Sequence, residues 1–450
     1  LKSLAISEIA AAVSGKAGFG GQVTDICTDT RTLTKDCLFV CVEGENFDGH
    51  SFAETALEKG ARAVLCHKDT GCENQILVED TRTALLTLAG YYRRLFPIPV
   101  AGVTGSVGKT TIKEMTHAVF SAKFKTLKTR GNLNNEIGLP LTLFQMDTDT
   151  EAAVIEMGMS ALGEISRLSK AAAPTMGIIS NIGVSHLEKL GSRENILKAK
   201  LELTDGMGDE APLILNGDDK RLYNAKIQRP IYYYGINNKF CRFKAYDIES
   251  DETGSRFTLD FGCGEQRISL PVIGKHNIYN ALAAFSAGFL ISVEPEAAAA
   301  ALRAYEPEGM RQRIRTMAEI TFVEDCYNAS PDSMKAALSA LKELRAKRRI
   351  AVLGDMLELG ETSLEGHRQT GIWAARFGVD AVLTIGEQSL KTAEAARGSG
   401  VKTVESFDGK DALAKRLLEL MEPGDAVLFK ASRGIKLEEI LTVIYKELKV

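Results

Sequence analysis

The sequence predicts an α/β protein of several domains, with a central parallel sheet built around a phosphate-binding loop and a C-terminal Rossmann-like domain. Three observations carry this prediction. Short apolar runs, each closing in Gly or polar residues, alternate with helical patterns, as strands joined by crossover helices do. One run, Val100 to Thr104, leads directly into a Gly-rich turn and then a helical pattern. The chain has 450 residues, more than one ordinary core holds, so two or three domains are expected.

Taken in order, the first segment runs to about residue 97. It offers strands at Cys37 to Val42, Ala63 to Cys66 and Gln75 to Val78, then a helix near Thr81 to Arg94. Leu95-Phe96-Pro97-Ile98-Pro99 follows; two prolines in three residues break a helix and favour an extended linker. The second segment, residues 98–312, carries the strand Val100 to Thr104, a helix from about Thr110 to Ser121, and strands at Ala152 to Glu156, Met176 to Ser180 and Leu213 to Asn216. Arg242 to Leu270 alternates apolar and polar residues between Gly turns, which reads as an antiparallel excursion. A helix returns at His276 to Ile291. The third segment, residues 313–450, repeats the βαβ pattern with strands at Ile320 to Glu324, Ile350 to Leu353, Ala381 to Ile385 and Ala426 to Phe429, and a helix at Ser333 to Ala346. That pattern predicts the Rossmann-like domain.

Composition narrows the function classes. The chain is 45% hydrophobic and 25% charged, as an average globular protein is. Fifty-five basic against 59 acidic residues give a net charge of −4, which argues against a global basic field for nucleic acid. No apolar run is long enough for a membrane span. The eight cysteines form no CxxC pair, so a zinc ribbon or redox motif has no support, and scattered, reduced, half-buried thiols are expected. No basic-then-apolar leader is visible, so the cytoplasm is the expected compartment. A monomer is the default expectation.

The strongest chemical signal is Gly102-Val103-Thr104-Gly105-Ser106-Val107-Gly108-Lys109-Thr110-Thr111. Strand, loop and helix in that order let backbone N–H groups turn toward phosphate oxygens at a helix N-terminus. Lys109 would neutralise β/γ charge and the Thr110 hydroxyl would sit on Mg²⁺. The common pattern asks for Gly at position 103, where this chain has Val. Glu156 closes a buried strand beside the loop, where a metal-holding acid belongs; a helix-capping acid is the alternative. His186 and Lys200 follow. Imidazole is an unusual Mg²⁺ ligand, and a cationic lysine would be repelled unless neutral or converted to a carbamate by CO₂. Asn277 and Asn280, three apart on one helical face, could read a purine edge or simply open an amphipathic helix. Arg311 could reach a phosphate across a cleft, and Asp325 closes an acidic strand end; an interdomain salt bridge is the plainer reading.

Read together, these motifs resemble the Mur ligases of peptidoglycan precursor synthesis. Thr28-Asp29-Thr30-Arg31, Asp48-Gly49-His50, TGSVGKTT (104–111), GNLNNEIGLPLTL (131–143), EMGMSALGEI (156–165), GKHNIYNALAA (274–284), DCYNASPDSMKAAL (325–338), LGDMLELG (353–360) and KASRGIKLE (430–438) carry the resemblance. Within the family, NLNNEIG, YNASPDSM and GDMLELG are similar to the branch that adds D-alanyl-D-alanine. The resemblance implies three domains: residues 1–97 for the uridine nucleotide, 98–312 for ATP and 313–450 for the incoming dipeptide. It accounts for Val103, since the family's loop has the form T-G-x-x-G-K-T. It implies ATP and Mg²⁺ as cofactors, with UDP-N-acetylmuramoyl-tripeptide and D-alanyl-D-alanine as partners.

The resemblance also assigns residues. Gly105, Ser106, Gly108, Lys109, Thr110, Thr111, Asn277, Asn280, Arg311 and Asp325 match the nucleotide site. Lys109, Glu156, His186 and Lys200 match the catalytic set, with metal held by Thr110, Glu156, His186 and a carbamylated Lys200. Thr30, Arg31, Asp48, His50, Asn134, Asn135, Ser160, Asn328, Asp355, Lys430 and Arg433 are expected to contact the peptide substrates. Two other readings stay open at this point: a folylpolyglutamate synthase on the same scaffold, and an ATP-driven switch without acceptor chemistry.

Overall fold

The computed structural model describes residues 1–44, 47–251 and 253–449. Their strands form three main sheets and one small two-stranded pair. The first sheet is wholly parallel, in the order Asp25–Cys27, Cys37–Val40, Ala63–Cys66, Gln75–Leu77. Four buried thiols, Cys27, Cys37, Cys41 and Cys66, pack on one side of it with Phe39 and Val64, more deeply than the half-burial expected. The helix Thr81–Arg93 starts where Asp80 accepts the Thr83 N–H at 2.7 Å, an N-cap.

That helix is joined tightly to the next domain. Arg93, 5% exposed, donates to the carbonyls of Ala172 (3.0 Å) and Phe96 (2.5 Å), and the Tyr92 hydroxyl donates to Met146 O at 2.6 Å. One apolar core runs from Leu38, Leu65 and Leu88 through Leu139 and Leu168 to Leu215. The proline-bearing segment 95–99 is therefore a locked strap between two domains that share a core, where the sequence suggested only a linker.

The central sheet has nine strands, in the order Glu265–Leu270, Gly254–Asp260, Phe243–Asp251, Ile231–Gly235, Leu213–Asn216, Met176–Ile179, Val100–Thr104, Ala152–Glu156, Thr126–Lys128. From Thr126–Lys128 to Phe243–Asp251 every pairing is parallel, and the last two are antiparallel. The phosphate-loop strand thus sits inside the parallel part, buried along its whole length. On one face the helices Lys109–Ser121 and Lys275–Leu290 pack through Ile112, Met115 and Phe120 against Ile278, Leu282 and Phe285. This packing brings Asn280 to the phosphate loop.

The third sheet runs Arg313–Met317, Ile320–Glu324, Ala426–Lys430, Arg349–Gly354, Ala381–Ile385, Thr403–Phe407, parallel except for its first pair. Its cores lie on its two faces and, apart from Ile273 and the partly buried Met310, draw only on its own segment. The helix expected at Ser333 to Ala346 spans Pro331–Glu343. Pro331 occupies the first helical position and Ser330 caps it, which moves the start two residues forward. Thr126–Lys128, Ile231–Gly235 and Thr403–Phe407 were not expected from the sequence. They are only half-buried over most of their length, so they lack a clear apolar run. Among the described residues no helix is long and apolar enough to cross a membrane.

Candidate active site

A cleft of about 640 Å³ opens between the central sheet and the C-terminal domain. Its floor is the phosphate loop. Ser106 N–H donates to Asn181 O (3.1 Å), Val107 N–H to Asn181 Oδ1 (3.1 Å), and Ser180 Oγ to Val107 O (2.6 Å). The loop's shape is thus fixed from the end of the neighbouring strand. Gly108 has φ +89°, and a Cβ there would stand 2.7 Å from Asn280 Oδ1; only glycine meets both conditions without strain. Lys109 Nζ folds back onto the carbonyls of Gly105 (2.8 Å) and Ser106 (3.3 Å). Burial pushes the Lys109 ammonium down from its ordinary pKa; Glu156 opposes that shift and Arg311 adds to it. Thr110 and Thr111 open the helix and line the cleft.

Glu156 ends the adjacent strand, level with Val103. It is 2% exposed. Its Oε1 accepts from Asn134 Nδ2 at 2.8 Å, while its Oε2 is buried with no hydrogen-bond partner. An orphaned carboxylate oxygen is costly unless something cationic meets it. With Thr110 lining the same cleft, it fits a Mg²⁺ that keeps most of its coordination for water and phosphate. Among the described residues no group of three or more His, Cys, Asp or Glu side chains is arranged to hold a metal.

His186 sits in left-handed backbone at φ +63°. Burial, with Lys200, Lys109 and Lys189 nearby, lowers its imidazole to about 4. Lys200, on the helix Arg193–Leu201, is 1% exposed. Burial and then Lys109 drive its pKa well below the usual lysine range, against the pull of Glu164 and Glu202. It is not among the residues that line the cleft. Ser160 and Asn135 both line the cleft. Asn135 Oδ1 is partly spent, accepting from Gly138 N–H (2.8 Å) at the start of a short helix.

Asn277 and Asn280 line the cleft beside the loop, and Arg311, Asp325, Asn328 and Lys430 line it too. Asn277 is occupied: its Nδ2 donates to Ile273 O (2.8 Å) and Gln312 Oε1 (2.6 Å), and its Oδ1 accepts from Asn280 (3.2 Å). The Arg311 guanidinium lies 3.9 Å from the centre of the Tyr327 ring, a cation–π seat. Lys430 pairs with Asp325 at 2.6 Å and donates to Asn328 O at 3.1 Å.

Six expected contact residues lie elsewhere. Asp355 accepts from Ser389 N–H (2.7 Å) and Oγ (2.6 Å), so its carboxylate anchors a helix start and is turned from the cleft. Arg433 is exposed and pairs with Glu438 at 2.6 Å. Both were expected to touch the dipeptide; neither lines the cleft. Thr30, Arg31, Asp48 and His50 belong to the first domain, apart from the cleft. There Arg31 pairs with Asp29 (2.6 Å), and Asp48 meets His50 Nδ1 (2.5 Å) and Lys68 (3.0 Å). The His50 N–H and imidazole, with Lys68, hold the Asp48 carboxyl well below the usual range. Sequence reasoning missed Asn181, Glu164, Gln312 and Tyr327. Glu164 and Tyr327 stand inside strings already singled out; Asn181 and Gln312 carry no signal apart from the fold.

A phosphate loop facing amides and cations across an interdomain cleft defines an enzyme that spends a nucleotide between two α/β domains. Three family descriptions match the chain: Mur ligase family, catalytic domain, at residues 22–93; Mur ligase middle domain at 103–288; and Mur ligase, glutamate ligase domain, at 310–433. The chain belongs to the Mur ligase family. It is 44% identical over 424 residues to the UDP-N-acetylmuramoyl-tripeptide--D-alanyl-D-alanine ligase of Bacillus subtilis (strain 168), covering 92% of each chain. It is similar in structure to MurF from Acinetobacter baumannii, with a TM-score of 0.91, 28% identity and 99% of both chains covered. MurF ligase from Thermotoga maritima, solved in complex with ADP, superposes with a TM-score of 0.87 at 28% identity, covering 95% of this chain and 98% of that one.

Proposed function

We infer that this protein is an ATP-dependent carbon–nitrogen ligase that adds D-alanyl-D-alanine to UDP-N-acetylmuramoyl-tripeptide, releasing ADP and phosphate. The observation that carries this reading is the cleft itself. Lys109 and the orphaned Glu156 face Arg311, Asp325 and Lys430 across it, in a chain 44% identical over 92% of its length to such a ligase.

A carboxylate oxygen is a poor leaving group, so the tripeptide's terminal carboxylate must first be activated. Its oxygen attacks the γ-phosphorus and ADP departs, leaving an acyl phosphate. The dipeptide amine then attacks the carbonyl carbon, loses a proton, and phosphate leaves. Positioning and charge neutralisation are what the protein supplies. Lys109 exchanges the loop carbonyls it now holds for phosphate oxygens, and the loop N–H groups cradle them. Thr110 and Glu156 would hold Mg²⁺; His186, Glu156 and Lys200 as a carbamate would hold a second. Bound there, Mg²⁺ offsets the charge gathering on the transferred phosphoryl group. Burial shifts Lys200 toward its neutral amine, the form that reacts with CO₂, whereas an ammonium has no free electron pair.

The domain roles follow. Residues 1–97, through Thr30, Arg31, Asp48 and His50, take the uridine end of the acceptor. Residues 98–312 take ATP, with Asn280 beside the loop and Arg311 reaching the phosphates. Asn134, Asn135 and Ser160 meet the acceptor peptide; Asn328 and Lys430, in residues 313–450, meet the dipeptide. We place the reaction in the cytoplasm, carried out by a monomer.

The test is coupled phosphate release with ATP, Mg²⁺ and D-alanyl-D-alanine, run with the diaminopimelate tripeptide, the lysine tripeptide and no acceptor. Release that needs both peptide partners is expected. Release that ignores them overturns the ligase reading. Lys109→Ala should abolish turnover.

A further inference from the structure

We propose that Asp332 is a positioning residue: from the C-terminal domain, its carboxylate completes a three-point clamp on the backbone of residues 182–184 and so fixes the loop that carries His186. Three consecutive N–H groups are each held by a side chain from a different place. Ile182 N–H donates to Asp219 Oδ2 (2.7 Å), Gly183 N–H to Ser106 Oγ (2.9 Å), and Val184 N–H to Asp332 Oδ2 (3.0 Å). Asp219 follows the strand Leu213–Asn216, Ser106 lies in the phosphate loop, and Asp332 sits in the first turn of the helix Pro331–Glu343. Two of the anchors share the loop's own domain. The third arrives only when the C-terminal domain stands where it does here.

Gly183 shows how close the approach is. A Cβ there would run into Asp332 Oδ2 and stand 3.1 Å from Ser106 Cβ. Asp332 is not needed to cap its own helix, because Ser330 Oγ already accepts the Ser333 N–H at 3.4 Å. Two residues beyond the clamp, His186 takes up left-handed backbone and caps the short helix Leu187–Leu190. A backbone N–H bonded to a charged carboxylate is among the stronger single hydrogen bonds. Closure of the far domain is thus written into the geometry of the near one, through one bond.

This inference rests on reading the cleft as a ligase site, so its test has one arm that needs turnover and one that does not. The full-length parent, Asp332→Ala, Asp332→Asn, Gly183→Ala and the Asp332→Ala/Gly183→Ala pair are compared. Hydrogen exchange of the 182–186 peptide is followed together with kcat, the ATP dissociation constant and the melting temperature. Asp332→Ala should speed exchange there and lower kcat about tenfold while leaving ATP binding within about twofold. Asp332→Asn, whose amide oxygen still accepts from Val184, should stay near the parent. Gly183→Ala should cost kcat in the parent and much less in the Asp332→Ala background. Unchanged exchange in Asp332→Ala overturns the clamp whatever the activity. So does equal loss in the Ala and Asn variants. A parent whose phosphate release ignores both peptides would instead overturn the ligase reading and leave the exchange arm to decide the clamp.

Discussion

Substituting Gly108 by alanine tests the phosphate loop at its tightest point. At φ +89° an L-residue pays about 1–2 kcal/mol for left-handed backbone. The added Cβ would also stand 2.7 Å from Asn280 Oδ1, well inside ordinary contact, and crowding of that kind costs a further 1–3 kcal/mol or so. The free loop can relax away from both, but phosphate binding demands the original shape, so the relaxation must be undone on binding. A total of about 2–5 kcal/mol weakens ATP by about 30- to 4,000-fold. Calorimetric titration of ATP into the parent and Gly108→Ala reads this directly. Gly400→Ala is the control: φ is +96° there, nothing lies within 4 Å of the added Cβ, and the site is remote from the cleft. It should leave ATP affinity untouched. Gly108→Ala binding ATP within about twofold of the parent would refute the argument that this loop conformation is what ATP needs.

The Asp325–Lys430 pair is nearly enclosed, with side chains 14% and 3% exposed. Asp325→Ala strands a buried ammonium and should destabilise the C-terminal domain by about 3–5 kcal/mol in urea melts, with Lys430→Met added in the same chain recovering much of it. The His186 imidazole takes its proton near 4 when folded and near 6.5 when unfolded. Between those values the unfolded chain binds the extra proton, so the His186 contribution to stability falls as pH drops from 6.5 toward 4; His186→Gln should flatten that part of the melting-temperature profile relative to the parent. Tyr327→Phe keeps the ring under Arg311 and should ligate normally. Tyr327→Leu should raise the KM for ATP several-fold, since a cation–π contact is worth about 0.5–2 kcal/mol; equal KM values in the two variants would mean that Arg311 needs no seat.

Much of this fold was legible because its inner strands are pure. Val100–Thr104, Ala152–Glu156 and Ala381–Ile385 are buried at every position, so apolar run and strand coincide. Edge and half-buried strands such as Thr126–Lys128 and Thr403–Phe407 mix polar side chains into every second or third place, and the pattern dissolves. The site divides in the same way. Lys109 announces itself by opening a helix after a Gly-rich loop, and Glu156 by closing a buried strand. Asp355 also closes an apolar run, yet its carboxylate is taken by Ser389, more than thirty residues on; no local pattern reveals that partner. Asn181 and Gln312 act only through neighbours that the chain's topology supplies. The proline strap at 95–99 reads as an extended linker by composition, but the buried guanidinium of Arg93, bonded to one carbonyl within it and to another in the next domain, makes it a joint that does not bend.

The single core running from Leu38 to Leu215 makes the first two domains one solid piece. If the uridine end of the acceptor is gripped near Thr30 and the reaction happens at Lys109, the span between them is a ruler of fixed length. An acceptor one residue short would leave its carboxylate roughly 3.5 Å farther from the phosphoryl group than the full-length one, well outside a near-attack geometry of about 3–3.5 Å. An acceptor one residue long would have to buckle. The enzyme can then count peptide residues with no pocket for the count itself, because the rigidity of the weld does the measuring, while the third domain keeps cores of its own.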